Sequence, residues 1–311
     1  MKIGFVGLGR MGRGMALNLA KAKVDLRVHD LSPEAVALLV EAGARAAADV
    51  AELARECDVI FTSLPGPVQV EEVVLGPGGI LENMRPGLVL FDLSTSSVSL
   101  VRRLEQAFRA KGGAVLDAPI SGGPAGAASG DLALWIGGDA AVYERHLELL
   151  RIVGKSPRRV GDIGAGTVAK LVHNLTGYLF LASFAETFSM GVKAGVDPLE
   201  LWEAMRLGMV GRGSPLNMLV NQFLPGKYEP PAFALKLAHK DVMLATGLAK
   251  ELGIPMRLSN MTLEEMTEAL ARGMGEQDSR AYMQLQLERA GVAIAVDPQR
   301  LQQAVQAAAQ G

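Results

Sequence analysis

A short apolar strand, a glycine turn and an amphipathic helix open this chain, and that succession narrows what its N-terminal half can fold into. Lys2–Gly7 reads as a buried strand, Gly7-Leu8-Gly9-Arg10-Met11-Gly12 follows at once, and the stretch from Met15 to Ala22 reads as a helix. A G-x-G-x-x-G in that context is a dinucleotide-binding fingerprint. Gly7 makes the turn, Gly9 lets the backbone approach a pyrophosphate, and Gly12 lets helix and strand pack closely. The helix N-terminus adds free N–H groups and the positive end of its dipole. A second strand, Asp25–His29, ends at Asp30, eighteen residues past Gly12. A carboxylate there accepts hydrogen bonds from the adenosine ribose hydroxyls and repels a 2′-phosphate. Leu31-Ser32-Pro33-Glu34 supply no arginine for that phosphate, so the expected cofactor is NAD, with NADP left open by Ser32.

The alternation of strand and helix continues. Strands are expected at Asp58–Ser63, Leu88–Asp92, Ala114–Ala118, Leu132–Ile136 and Arg158–Gly161, in a sheet of roughly eight strands. The breaks Leu64-Pro65-Gly66-Pro67, Leu93-Ser94-Thr95-Ser96 and Pro119-Ile120-Ser121-Gly122-Gly123-Pro124 fall at strand carboxyl ends, where open α/β sheets bind ligands. Ser121-Gly122-Gly123 reads either as a plain turn or as a hydroxyl and exposed N–H groups set for an anion such as a carboxylate.

A different texture begins at Gly164-Ala-Gly-Thr-Val-Ala-Lys170-Leu-Val-His-Asn174. The apolar residues that follow, to about Ala194, spread over most of a helix circumference, which predicts a buried helix. Lys170 and Asn174 project from one face, one turn apart. Lys170 reads equally as a lysine snorkelling to the surface or as a buried amine with a purpose. Beyond it helices dominate: Asp197-Pro198 as N-cap and N1, then Glu200–Leu207, Met218–Phe223, Ala232–Leu252, Leu258–Ala271, Ala281–Glu288 and Pro298–Ala309. Between them lies a glycine-rich loop carrying Arg212, and Lys240-Asp241 sits within one helix, where a charged pair is usually a solvated face.

Bulk properties exclude several classes. Over 311 residues, 49% hydrophobic and 21% charged, a formal net charge of -2 makes no case for nucleic acid or an anionic membrane. A single cysteine, Cys57, rules out an intramolecular disulfide and reads as packing filler in a reducing, cytoplasmic compartment. The four histidines show no metal-ligand spacing, so no metal is expected. No stretch reads as a membrane span, and the first residues read as a strand rather than a signal peptide.

Together these segments resemble the β-hydroxyacid dehydrogenase family, which includes 3-hydroxyisobutyrate and tartronate semialdehyde (2-hydroxy-3-oxopropionate) enzymes. The resemblance spans residues 1 to 290 and rests on four motifs in order: Gly4 to Leu19, Asp117-Ala-Pro-Ile-Ser-Gly-Gly123, Gly164 to Asn174, and Lys240-Asp241. It implies an α/β fold: an N-terminal Rossmann-type domain over 1–163, a long interdomain helix over 164–194 and an all-helical C-terminal domain for substrate and oligomerisation over 195–311. The active site is expected in a cleft between the domains, and a homo-dimer or homo-tetramer through the helical domain. The same resemblance makes Lys170 the catalytic lysine, with Asn174 orienting the substrate. It makes Ser121, Gly122 and Gly123 the site for a small carboxylate substrate. Gly7, Leu8, Gly9, Arg10, Met11, Gly12 and Asp30 become cofactor residues, as do Leu64, Pro65, Gln69, Thr95 and Lys240. Two departures stand out. Lys23 replaces the glycine usual at the end of the first helix, which must then stop by other means, and Arg212 falls in a variable loop, either solvated or binding a second polar group of the substrate.

The implied reaction is reversible, NAD-dependent oxidation of a short 3-hydroxy acid resembling 3-hydroxyisobutyrate, with Lys170 as general acid and base. Reduction of tartronate or succinate semialdehyde is the alternative. Two other readings stay open: a related imine reductase, against which Lys170 counts, and a non-catalytic NAD-binding scaffold, against which the presence of Ser121, Lys170, Asn174 and Lys240 together counts. A 6-phosphogluconate dehydrogenase would be longer and need a basic cluster that is not seen.

Overall fold

The computed structural model of the chain describes residues 1–309 and divides it into two compact units, Met1–Thr176 and the remainder from Gly177. In the first unit nine strands form one sheet: β1 (Lys2–Val6), β2 (Asp25–His29), β3 (Arg45–Ala46), β4 (Val59–Thr62), β5 (Val89–Asp92), β6 (Ala114–Asp117), β7 (Ile120–Ser121), β8 (Ala133–Gly137) and β9 (Ser156–Gly161). The first six run parallel in the order β3-β2-β1-β4-β5-β6, the doubly wound arrangement the sequence predicts. β8 extends the sheet antiparallel to β6 and carries β7 antiparallel and β9 parallel. β3 and β7, two residues each, are the strands that the sequence pattern does not announce.

The central strands are continuous apolar runs because both faces of the sheet are covered. Phe5, Phe61 and Phe91 stand in register across β1, β4 and β5, fully buried, with ring centroids 6.0 and 5.4 Å apart. On the opposite face Ile60, Leu90 and Val115 pack with Leu53, Leu104 and Phe108. Cys57 lies in this second layer, at the end of the helix Val50–Glu56, and burial pushes its thiol up to about 11. It is filler, as expected.

The helix after the glycine loop, Gly12–Lys21, corrects one expectation. It does not end by other means: Lys23 itself takes the left-handed conformation at φ 57°. Its N–H donates to Ala20 O at 2.9 Å, and the Val24 N–H donates to Leu19 O at 3.5 Å, the double closure of a Schellman turn. That conformation costs a non-glycine residue about 1–2 kcal/mol, of which glycine's freer unfolded chain returns part. Lys23→Gly is therefore expected to stabilise the protein by about 0.5–1 kcal/mol, read as a higher urea midpoint at unchanged slope. An unchanged or lower midpoint would show that the lysine is not strained.

The second unit is helical. Asp197 caps the helix Pro198–Leu207 by accepting from the N–H groups of Leu199 and Glu200. Helices Leu235–Glu251, Arg257–Ala271 and Met283–Arg289 pack around Leu235, Met266, Ala269 and Leu285. Glu186 caps Arg257–Ala271, accepting from the Leu258 and Ser259 N–H groups and the Ser259 hydroxyl. The expected helix Met218–Phe223 is not α-helical; a 3-10 turn, Pro215–Leu219, occupies its start and turns follow. Pro225 lies too close for a regular helix to propagate from there. The helix Pro298–Ala309 stands as expected.

The long helix runs Ala165–Lys193, so the division between the units falls inside it. Its expected burial is not observed: only Gly166 and Thr167 are buried, and Leu175, Tyr178 and Leu181 are 60%, 69% and 62% exposed. Its apolar circumference therefore stands largely exposed.

Candidate active site

The glycine loop follows β1 because nothing larger than hydrogen fits at two of its positions. Gly7 has φ 93°, and a Cβ there would stand 2.3 Å from Ser63 O; a Cβ on Gly12 would stand 1.9 Å from Gly7 O. A Cβ on Gly9 would meet no atom within 4 Å. That is the cradle a pyrophosphate backbone would need at the start of the Gly12–Lys21 helix. The loop borders a cavity of about 710 Å³ lined also by Arg10, Met11, Asp30, Leu64, Pro65 and Gln69. Leu8 is different: its side chain is buried in the core, and only its backbone serves the loop.

Asp30 closes the loop from the end of β2. Its Oδ2 accepts the Leu8 N–H at 2.5 Å and its Oδ1 accepts the Ser32 N–H at 2.8 Å. Ser32 is committed as well, capping the helix Pro33–Glu41 through Ala35 N–H and donating its hydroxyl to Glu34 at 2.8 Å. Two carboxylates, Asp30 and Glu34, therefore flank Ser32 at this corner, and Arg10 lines the same cavity as Asp30.

A buried carboxylate ties the next two loops together. Asp92, at the end of β5, accepts from the Thr62 hydroxyl and the Ser94 N–H, both at 3.0 Å, and the Ser94 hydroxyl accepts the Leu64 N–H at 2.9 Å. Leu64-Pro65 and the exposed Thr95 are thereby held from below, although Thr95 does not line the cavity. Asp92 is fully buried and its Oδ2 has no partner among the described residues; desolvation pushes its carboxyl up to about 6. The native state then holds the proton more tightly than the unfolded chain does. The stability this group contributes is complete below about pH 4 and is lost as pH rises through about 6. Asp92→Asn keeps the Oδ1 acceptor and removes the titration. Between about pH 4 and pH 7 the wild type should lose roughly 3 kcal/mol relative to this variant in equilibrium unfolding, and parallel curves would contradict it.

The third group of residues gathers around β7. Gly122 has φ 139° and a Cβ there would press on Leu132, whereas Gly123, at φ 64°, faces open space. The helix Gly123–Ser129 is anchored on the glycine-loop helix: a Cβ on Gly14 would stand 2.8 Å from the Ala127 backbone, and Asn18 donates to Ala127 O at 2.9 Å. The two helices that follow the expected ligand loops are thus packed closely on each other.

Lys170 reaches this group because the start of its helix is fixed twice. Buried Asp117, at the end of β6, accepts the Gly164 N–H at 2.7 Å and the Thr167 N–H at 2.6 Å. Gly166 lies so close to β8 that a Cβ would stand 2.2 Å from Trp135 O. One turn further on, Lys170 Nζ donates to Ile120 O at 2.7 Å and stands 5.9 Å from the Trp135 ring centre. The amine is half-buried, and desolvation holds it below the ordinary lysine range. Asn174, half-buried, follows one turn later. Three residues have no role in the sequence reading: Asp117 as a cap, Trp135, and His173, whose Nε2 lies 3.2 Å from Ser121 Oγ. His173 sits three residues after Lys170, a spacing that marks a shared helix face.

Lys240 and Arg212 belong to the second unit. Lys240 pairs with Asp241 at 2.9 Å on the helix Leu235–Glu251, both more than half exposed, and Arg212 is exposed in its glycine-rich loop. Among the described residues no cluster of His, Cys, Asp or Glu forms a metal site, and no helix is long and apolar enough to cross a membrane.

Comparison with known proteins covers nearly the whole chain. Residues 2–166 match the family of the NAD binding domain of 6-phosphogluconate dehydrogenase, and residues 164–286 match that of the NAD-binding of NADP-dependent 3-hydroxyisobutyrate dehydrogenase. The chain is 36% identical to 2-(hydroxymethyl)glutarate dehydrogenase of Eubacterium barkeri, over 94% of this chain and 97% of that one. It is 37% identical to 3-hydroxyisobutyrate dehydrogenase of Pseudomonas aeruginosa, over 80% and 85%. The solved structure of 3-hydroxyisobutyrate dehydrogenase from Salmonella typhimurium is 29% identical, covers 92% of this chain and 99% of its own, and superposes with a TM-score of 0.61.

Proposed function

Given that this chain belongs to the β-hydroxyacid dehydrogenase family of NAD(P)-dependent oxidoreductases, we propose that it interconverts a short 3-hydroxy acid, resembling 3-hydroxyisobutyrate, and its aldehyde. One observation carries this reading. Lys170 Nζ is bound to the carbonyl of Ile120, the residue before Ser121, so the amine and the carboxylate loop are held together.

In this mechanism the Ser121 hydroxyl and the Gly122–Gly123 backbone bind the carboxylate, which places the substrate's hydroxyl-bearing carbon. The bound nicotinamide supplies the hydride acceptor in oxidation and the donor in reduction. Lys170 takes the hydroxyl proton in oxidation and returns it in reduction. Burial supports that role, because it favours the neutral amine that a base must present. Asn174 orients the substrate beside the amine, and Lys240 lines the nicotinamide pocket. Gly7, Gly9, Arg10, Met11 and Gly12 hold the pyrophosphate region with the Leu8 backbone, while Leu64, Pro65, Gln69 and Thr95 bound the rest of the dinucleotide.

The cofactor is NAD rather than NADP. Asp30 keeps lone pairs that would accept from the ribose hydroxyls, and its negative charge, with that of Glu34 beyond Ser32, would disfavour a 2′-phosphate. A more polar substrate, such as tartronate or succinate semialdehyde, is the second reading, favoured by the exposed Arg212. The exposed apolar residues from Tyr178 to Phe184, with Leu199 and Trp202, support a homo-dimer or homo-tetramer built through the helical unit over 195–311 and the 164–194 helix. The single buried thiol supports a cytoplasmic location.

The test is absorbance at the reduced-nicotinamide band across a panel of short hydroxy acids, with NAD and NADP run separately. Reduction of NAD by a 3-hydroxy acid is the expected result. A preference for NADP would overturn the role of Asp30, and silence across the panel would overturn the substrate class.

A further inference from the structure

We propose that His173 is a positioning residue of the carboxylate site, acting through Ser121 to decide which way the serine hydroxyl points. This rests on the reading of Ser121 as a carboxylate ligand. Its Nε2 lies 3.2 Å from Ser121 Oγ, and its ring lies against Trp135, with centroids 4.9 Å apart and planes at 47°. Trp135 is itself held in β8, which pairs Ala133 with Ser121, so the indole, the imidazole and the serine share one support.

A serine hydroxyl has one proton to give and two lone pairs to offer. If it gives that proton to Nε2, it turns a lone pair towards an incoming carboxylate, which repels the ligand. If Nε2 carries the hydrogen and donates to Oγ, the serine proton is free to point at the carboxylate, and the bond to the anion is charge-assisted. A bound carboxylate therefore selects the His173 form with hydrogen on Nε2. The imidazole thus makes Ser121 a committed donor, while Lys170, one turn away on the same helix, keeps its own contact with Ile120 O.

Steady-state kinetics on the full chain separates the possibilities, with His173→Phe, His173→Gln, Ser121→Ala and the double variant measured together. Loss of one charge-assisted hydrogen bond is expected to raise KM for the hydroxy acid about tenfold in His173→Phe, leaving KM for NAD and kcat within about twofold. Glutamine, whose amide N–H reaches towards the position of Nε2, should restore most of the loss. The double variant should be no worse than Ser121→Ala alone, because the histidine then has no hydroxyl to orient. His173 is exposed, so thermal unfolding of the Phe variant should match the wild type.

The proposal is overturned if Ser121→Ala raises KM and His173→Phe does not, an outcome that leaves the carboxylate site standing. It is overturned equally by a rise that glutamine does not rescue, or one that persists undiminished without the serine hydroxyl. An unchanged KM in Ser121→Ala would instead remove the carboxylate site, and the proposal with it.

Discussion

Replacing Lys170 with alanine is expected to lower turnover by about 10²–10⁴-fold while NAD affinity stays within about twofold, the usual scale for losing a general acid–base group. The split follows from where the amine sits. Its hydrogen bond goes to Ile120 O, beside the proposed carboxylate loop, and Lys170 is not among the residues that line the glycine-loop cavity. Removing it withdraws the proton acceptor and leaves the cofactor cavity intact. Lys170→Arg should not rescue turnover, because a guanidinium stays protonated at any working pH and cannot act as the base. Rapid-mixing turnover assays together with a fluorescence titration of NAD check both halves. Equal turnover in the alanine variant would remove Lys170 from the mechanism, and a parallel loss of NAD affinity would make it a cofactor ligand instead.

The glycine loop carries the second large effect, and two of its positions should behave differently. A Cβ on Gly12 would stand 1.9 Å from Gly7 O, a backbone atom that cannot rotate away. Gly12→Ala must therefore push the helix from the strand, at a cost of about 1–3 kcal/mol in stability. The displaced loop should bind NAD about a hundredfold more weakly, since misplacement by about 1 Å has that order of consequence. At Gly9 a Cβ meets no protein atom within 4 Å. Gly9→Ala is thus expected to leave the denaturation midpoint unchanged and still weaken NAD, because the methyl group would occupy the ligand's approach. Denaturation curves and NAD titrations on both variants form the check. Equal behaviour of the two would mean that the loop is merely a tight turn.

What was legible in the sequence was local and steric. Gly7 and Gly12 announce turn and close packing, and the structure meets both, Gly7 against Ser63 O and Gly12 against Gly7 O, while Gly9 faces open space. Asp30 was legible from its distance along the strand–helix–strand unit. Asp92, Asp117 and Trp135 were not, because what matters about them is long-range. Asp117 accepts the N–H of Gly164, 47 residues later, at the start of the long helix, and Asp92 organises loops that follow two different strands. β7 escaped notice because two residues carry no periodicity, yet it places Ile120 O and Ser121 in the site.

The misreadings have the same origin. Lys23 was expected to force another helix ending, but the surrounding hydrogen bonds hold it in the left-handed turn regardless. Met218–Phe223 has apolar spacing without the length to propagate a helix before Pro225. The long helix is apolar round its circumference as read, but an apolar circumference does not by itself dictate burial. His173 was weighed only as a metal ligand, because its partner Ser121 lies 52 residues away.

Isotope transfer tests the central claim most directly. The enzyme is incubated with NAD and a 3-hydroxy acid deuterated at the hydroxyl-bearing carbon, and the reduced nicotinamide is analysed by mass spectrometry. Deuterium in the reduced cofactor, with the corresponding aldehyde as product, is the expected result. Reduced cofactor without deuterium, or none formed with any 3-hydroxy acid, would contradict it.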